Sequence, residues 1–150
     1  CALPICVARH TVEMLPAERP RDLMGVGMPD ELVRFVSMGF DLFDCVLPTR
    51  NARNGMAFTS SGRLVIKNAE NRDDLRPIEE GCTCACCRTF SRAFVRHLFV
   101  AGEILAARLL TTHNLHFYLS RMERLREAIP LGRFAEEARS LLAATEPATA

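Results

Sequence analysis

The spacing of apolar residues changes from a strand-like to a helix-like period along this chain. Residues 21–27, RDLMGVG, predict a short strand that ends in a glycine-punctuated turn. Pro29 then opens a helix whose apolar face is Leu32, Val33, Val36 and Met38. Residues 40–47, FDLFDCVL, are mostly apolar and predict a second strand of the parallel kind that is covered on both faces. The order strand, helix, strand is a β-α-β unit. Residues 48–55, PTRNARNG, are rich in turn formers and predict a loop, and SSGRLVIKN (60–68) predicts a turn followed by a short strand. From Ser91 onward the period is helical. Phe94, His97, Leu98, Ala101, Leu105 and Leu109 form one stripe, and Leu115, Tyr118, Leu119, Met122, Leu125 and Ile129 form a second, stopped by Pro130 and Gly132. Phe134, Ala138, Leu141 and Leu142 mark a third helix, and all three stripes read as core packing.

About half of the 150 residues are apolar and a quarter are charged, which suits a globular domain with one core. No run approaches the roughly 18 apolar residues of a membrane span, and no signal peptide is visible, so a cytoplasmic protein is expected. Seven cysteines agree with a reducing compartment, in which Cys45 stays a thiol. The net charge of +1 hides a local imbalance: residues 45–69 contain Arg50, Arg53, Arg63 and Lys67 and no acidic residue. Such a segment either meets phosphate or is a solvated loop balanced from elsewhere.

The most informative chemistry is Cys82, Cys84 and Cys87 in a Cys-x-Cys-x-x-Cys run, followed by His113. Thiolate and imidazole are preferred ligands of zinc, and four of them close a tetrahedral site with no open position for catalysis. A structural zinc ion is the expectation, with His97 and His116 as weaker candidates for the fourth ligand and Cys86 as a substitute for Cys87. The alternative is that the cysteines are buried or disulfide-bonded and His113 is a polar residue at a helix end.

Four strings, RPRDLMGVG (19–27), DLFDCVLPTRNARNG (41–55), CTCACC (82–87) and TTHNLHFYLSRM (111–122), together resemble the C-terminal part of the tRNA-guanine transglycosylases, the bacterial queuine-type enzymes most closely. The resemblance runs from about Leu15 to Leu142. It implies an α/β fold, the last part of a (β/α)8 TIM barrel with an inserted zinc-binding subdomain. The corresponding division is 1–6 a non-native leader, 7–57 the last barrel strands with the catalytic loop, 58–114 the zinc-binding subdomain, 115–144 the closing C-terminal helices, and 145–150 a disordered tail. A whole barrel takes about 250 residues, so the chain reads as a fragment.

The same resemblance implies exchange of guanine at the tRNA wobble position for 7-aminomethyl-7-deazaguanine, in queuosine biosynthesis. Asp44 matches the nucleophile. Met24 and Gly25 match residues that line the base pocket, and Thr49, Arg50 and Arg53 match the segment that grips the anticodon region of tRNA. Cys82, Cys84, Cys87 and His113 match the zinc ligands. The implied partners are tRNA with a wobble guanine, a 7-deazaguanine-type base and a second copy of the chain in a homodimer, with no membrane. The family's second essential carboxylate lies in a region absent here, so the chain alone is expected to be inactive. The competing reading is a non-catalytic, zinc-containing tRNA-binding partner subunit; Asp44 in an intact FDCVLPTR context favours the enzyme.

Overall fold

The computed structural model describes residues 3–143. The 145–150 tail and the first two residues of the 1–6 leader therefore lie outside the described residues, while residues 3–6 belong to the first helix. The chain divides into two compact units, residues 1–46 and 47–150.

The first unit contains α1 (Leu3–Met14), β1 (Asp22–Met24), α2 (Pro29–Met38) and β2 (Leu42–Asp44). The strands pair in parallel, with Asp22 opposite Leu42, Leu23 opposite Phe43 and Met24 opposite Asp44. This is the expected β-α-β unit, though each strand is only three residues long. Pro29 occupies the first turn of α2, where its missing N–H costs nothing, and Glu31 Oε2 accepts a hydrogen bond from the Met28 N–H at 3.3 Å. Gly39, at φ +101°, ends the helix in the left-handed conformation. The inner face of α2 is Pro29, Leu32, Val33 and Phe35, and Phe35 meets Phe40 edge to face with ring centroids 6.1 Å apart. Ala8 and Val12 of α1 close this small core.

The second unit contains α3 (Leu47–Arg53), the antiparallel pair β3 (Met56–Thr59) and β4 (Gly62–Val65), α4 (Ala85–Thr89), α5 (Arg92–Val100), α6 (Ile104–Ala128) and α7 (Phe134–Ala143). Three expectations are corrected here. Residues 48–55 are not a loop: α3 occupies most of them, with Pro48 in its first turn, Arg50 and Arg53 at its C-terminal end, and Ala52 fully buried. β3 precedes β4 and makes a hairpin where only the second strand was predicted. The first helical stripe is split, because α5 stops before Gly102 (φ +76°) and α6 begins at Ile104 and runs unbroken for 25 residues.

The apolar stripe predicted for the second helix is only partly its buried face: Tyr118 and Leu125 are buried. Leu115 and Leu119 are exposed, whereas Ala106, Leu110, His113, Asn114, Phe117, Tyr118, Arg121, Leu125 and Ala128 are buried at helical spacing. Polar residues take part in that inner face because each has an internal partner. Arg121, for example, lies over the Phe117 ring at 4.7 Å and donates through Nη2 to the Leu141 carbonyl at 2.9 Å.

The loop from residue 72 to the cysteines has no regular structure except for a 3-10 turn just before it, Ala69–Asn71. It is held by arginine. Arg92, at the start of α5, donates to the Pro77 carbonyl (2.8 Å), the Ile78 carbonyl (3.0 Å) and Asp74 Oδ2 (3.1 Å). Arg76 grips the same carboxylate through two bonds of 2.9 and 2.8 Å. These bonds, the Arg76 one foremost, hold the Asp74 carboxyl well below the usual carboxylate range. A carboxyl with a depressed folded-state pKa stabilises the fold above its unfolded value of about 3.9, and that stability is lost as pH falls below it. Asp74→Asn should therefore lower the thermal midpoint at pH 7, and the gap to the parent should narrow as pH is taken through 4; a gap independent of pH would contradict this account.

Candidate metal centre and strand-end site

Three elements bring the four predicted ligands together: the loop that carries Cys82, the start of α4 with Cys84 and Cys87, and the middle of α6 with His113. Cys82 Sγ and Cys84 Sγ each lie 3.7 Å from His113 Nδ1, and Cys87 Sγ lies 3.3 Å from it. All four donor atoms fall within 4.8 Å of one another. A tetrahedral zinc ion with ordinary bond lengths spaces sulfur and nitrogen ligands by about 3.6 Å. The cluster thus fits a structural zinc ion.

The orientation of His113 is set from behind. The residue is fully buried, and its Nε2–H donates to the Phe58 carbonyl of β3 at 2.8 Å, which leaves Nδ1 as the atom turned to the sulfurs. Cys84 caps α4, its sulfur accepting from the Cys87 N–H at 3.3 Å. Burial pushes the Cys82 and Cys87 thiols up and the His113 imidazole down. Without a cation that burial favours the neutral forms of Cys82, Cys87 and His113. A divalent cation supplies the charge that draws the thiol protons off, so binding releases protons and weakens as pH falls.

Cys86 is not a ligand in place of Cys87. It points into the apolar cluster of Ile66, Ile78, Val95 and Leu110, is fully buried, and has its thiol pushed up to about 12 by that burial. His116 sits outside the cluster, hydrogen-bonded to Thr83 Oγ1 at 3.2 Å, and His97 is exposed on α5. The alternative of disulfide-bonded cysteines is also excluded, since Cys82, Cys84, Cys86 and Cys87 are free. His113 lies in mid-helix, not at a helix end.

The remaining predicted residues fall in two places. Asp44 is the last residue of β2, exposed, and in register with Met24 at the end of β1. The Gly25 N–H donates to the Asp44 carbonyl at 2.7 Å, and Gly25 has φ +77°, a turn conformation that side chains resist. Asp44, Met24 and Gly25 are thus adjacent at the C-terminal ends of two parallel strands. Thr49, Arg50 and Arg53 all lie on α3, the two arginines exposed and Thr49 half-buried.

Sequence reasoning missed two residues of the metal centre's surroundings. One is Arg92, which fixes the loop before Cys82 from 10 residues downstream of it. The other is Asn114, whose buried side chain binds three backbone groups of α3 and β3. A His-Asn pair inside an apolar-rich helical stretch was the available signal for the second. No local signal marks the first.

Cys84→Ser should abolish stoichiometric zinc and lower the unfolding midpoint of the helical part, whereas Cys86→Ala should keep the metal and cost about 1 kcal/mol or more through the cavity it leaves. Metal analysis with thermal unfolding of the two variants checks this; zinc retained by Cys84→Ser, or lost by Cys86→Ala, would require a different ligand set.

Comparison with known proteins agrees with this geometry. The family model described as queuine tRNA-ribosyltransferase matches residues 4–147. Among curated relatives, the queuine tRNA-ribosyltransferase of Syntrophobacter fumaroxidans is 60% identical over 126 residues, covering 84% of this chain and 34% of the relative. That of Janthinobacterium sp. (strain Marseille) is 56% identical over 128 residues, 85% of this chain and 34% of the relative. The protein of the same name from Desulfosudis oleivorans is 49% identical over 142 residues, 95% and 37% respectively. The chain spans about a third of the length of these relatives. With the match extending over nearly all of it, the chain belongs to the queuine tRNA-ribosyltransferase family.

Proposed function

We propose that this chain is the C-terminal portion of a tRNA-guanine transglycosylase that exchanges guanine at the wobble position for a 7-deazaguanine-type base, 7-aminomethyl-7-deazaguanine in the queuosine pathway. The observation that carries the reading is Asp44 at the C-terminal end of a parallel strand, side by side with Met24 and Gly25. Barrel enzymes place their catalytic groups at that end of their strands. In this reading β1, α2 and β2 are the last part of a (β/α)8 barrel. The exposure of Met24, Leu42 and Val46 supports it, since such apolar side chains suit surfaces that further barrel elements would cover.

The chemistry asks for a carboxylate. The Asp44 oxygen attacks the ribose anomeric carbon as the bond to guanine breaks, through a transition state with oxocarbenium character that the negative charge stabilises. The bond electrons leave with guanine, which takes up a proton. The incoming base then attacks the same carbon through a ring nitrogen that gives up its proton, and the bond to Asp44 breaks to return the carboxylate, so two displacements retain the stereochemistry and no nucleoside triphosphate is consumed. Met24 offers a polarisable thioether to the flat face of the heterocycle, and Gly25, with no side chain, permits close approach. Arg50 and Arg53 on α3 supply planar guanidinium groups for the phosphates around the anticodon, and Thr49 precedes them. The wobble base must leave its stack to reach the carboxylate, which a single-stranded anticodon loop permits. Zinc holds the subdomain's shape and takes no part in the displacement. The enzyme works in the cytoplasm as a homodimer, and the 150 residues alone are inactive because the second carboxylate lies elsewhere.

In the full-length enzyme that carries this segment, Asp44→Asn should cut exchange of labelled guanine into unmodified tRNA by at least about a thousandfold. It should also abolish the covalent tRNA adduct while leaving tRNA affinity close to the parent's. An adduct that survives denaturing electrophoresis in the variant would mean that another residue attacks the ribose. Binding without any exchange by the parent enzyme would favour a non-catalytic partner subunit.

A further inference from the structure

Asn114 follows the metal-binding His113 on α6 and is fully buried. Both ends of its carboxamide bond the backbone of two other elements. Oδ1 accepts from the Phe58 N–H of β3 at 3.0 Å. Nδ2 donates to the Met56 carbonyl of β3 at 3.0 Å and to the Pro48 carbonyl of α3 at 2.9 Å. An apolar side chain of the same size would fill the space equally well, so packing alone does not call for an amide. Only a group with one acceptor and two donors at these positions satisfies all three backbone atoms.

The bonds join parts of the chain that sequence keeps far apart. Pro48 lies 66 residues before Asn114 and opens the helix that presents Arg50 and Arg53. The next residue back, His113, is tied both to the sulfurs and to Phe58. The far end of α3 is blocked as well: Gly55 has φ +78°, and a Cβ there would lie 2.6 Å from the Phe99 ring. α3 is therefore gripped at its first turn by Asn114 and confined just past its end by Phe99. Its outward face carries two long cations whose forked geometry recognises phosphate only when the backbone beneath them is fixed.

We propose that Asn114 is a positioning residue for tRNA phosphate recognition: it locks α3, and with it Arg50 and Arg53, onto the helix that the metal centre anchors. The proposal rests on the reading of those arginines as phosphate contacts. Asn114 does not touch tRNA; it acts through the first turn of α3.

The test uses the full-length enzyme that carries this segment and unmodified tRNA as the probe. Four proteins are compared: the parent, Asn114→Leu, the doubly substituted Arg50→Ala/Arg53→Ala, and the combination of all three changes. Asn114→Leu should keep stoichiometric zinc, weaken tRNA binding by at least about tenfold, and raise the KM for tRNA far more than it lowers kcat. In the background without the arginines the same change should cost almost nothing further, because its effect runs through them. A loss of affinity that simply adds to that of the arginine variant would overturn the proposal, as would unchanged affinity with zinc retained. An arginine variant that binds tRNA as the parent does would overturn the phosphate-contact reading itself. Should Asn114→Leu fail to fold, Asn114→Asp keeps the volume and the acceptor for Phe58 while removing both donors, and the same pattern of affinity, KM and non-additivity is required of it.

Discussion

One imidazole ring joins the two halves of the metal-binding unit's architecture. His113 offers Nδ1 to three sulfurs and gives the Nε2 proton to the Phe58 carbonyl. Each contact constrains the other, since a ring held by its far nitrogen can present the near one in only one direction. The consequence extends along α6. With His113 fixed against β3, the neighbouring Asn114 is delivered to the backbone of Met56, Phe58 and Pro48, and Phe117 and Tyr118 are brought against the Phe58 ring, at centroid distances of 6.4 and 5.2 Å. A long helix that is amphipathic on an unconventional face thereby becomes the spine against which α3, β3, α4, α5 and α7 pack.

The cysteine-bearing loop depends on a second set of bonds. Its backbone carbonyls are turned inward at Pro77 and Ile78, where helix or strand partners are lacking, and Arg92 supplies the donors. The guanidinium charge is in turn balanced by Asp74, which Arg76 shares. This arrangement lets an irregular segment hold two sulfurs on its flank at metal-binding spacing, which a flexible loop could do only at a large entropic cost. Metal and arginine together replace the regular hydrogen-bond ladders that the segment lacks.

The two units carry different parts of the proposed chemistry. The first is a β-α-β unit preceded by α1 that sets a carboxylate, a thioether and a glycine at the ends of adjacent strands. The second is a metal-stiffened platform that displays arginines from a short helix.

Much of this was legible in the residues themselves. The β-α-β order, the zinc ligands Cys82, Cys84, Cys87 and His113, and the placement of Asp44 at a strand end follow from local signals: a proline and a glycine that bracket α2, the thiol spacing, and short apolar runs. The sequence also held the family motifs in order. Tertiary structure alone decided three matters. Most of residues 48–55 became helical because Ala52 could be buried and the first turn could be bonded by Asn114, compensations that turn-forming composition does not reveal. The buried face of α6 includes His113, Asn114 and Arg121 because each finds its partner from a distant part of the chain, so a rule that sends polar residues outward found only part of that face, Tyr118 and Leu125. The thiol spacing favoured Cys87 over Cys86 but did not say where Cys86 goes; helix geometry did: successive residues of α4 point about 100° apart, so Cys87 joins the metal cluster while Cys86 enters the core.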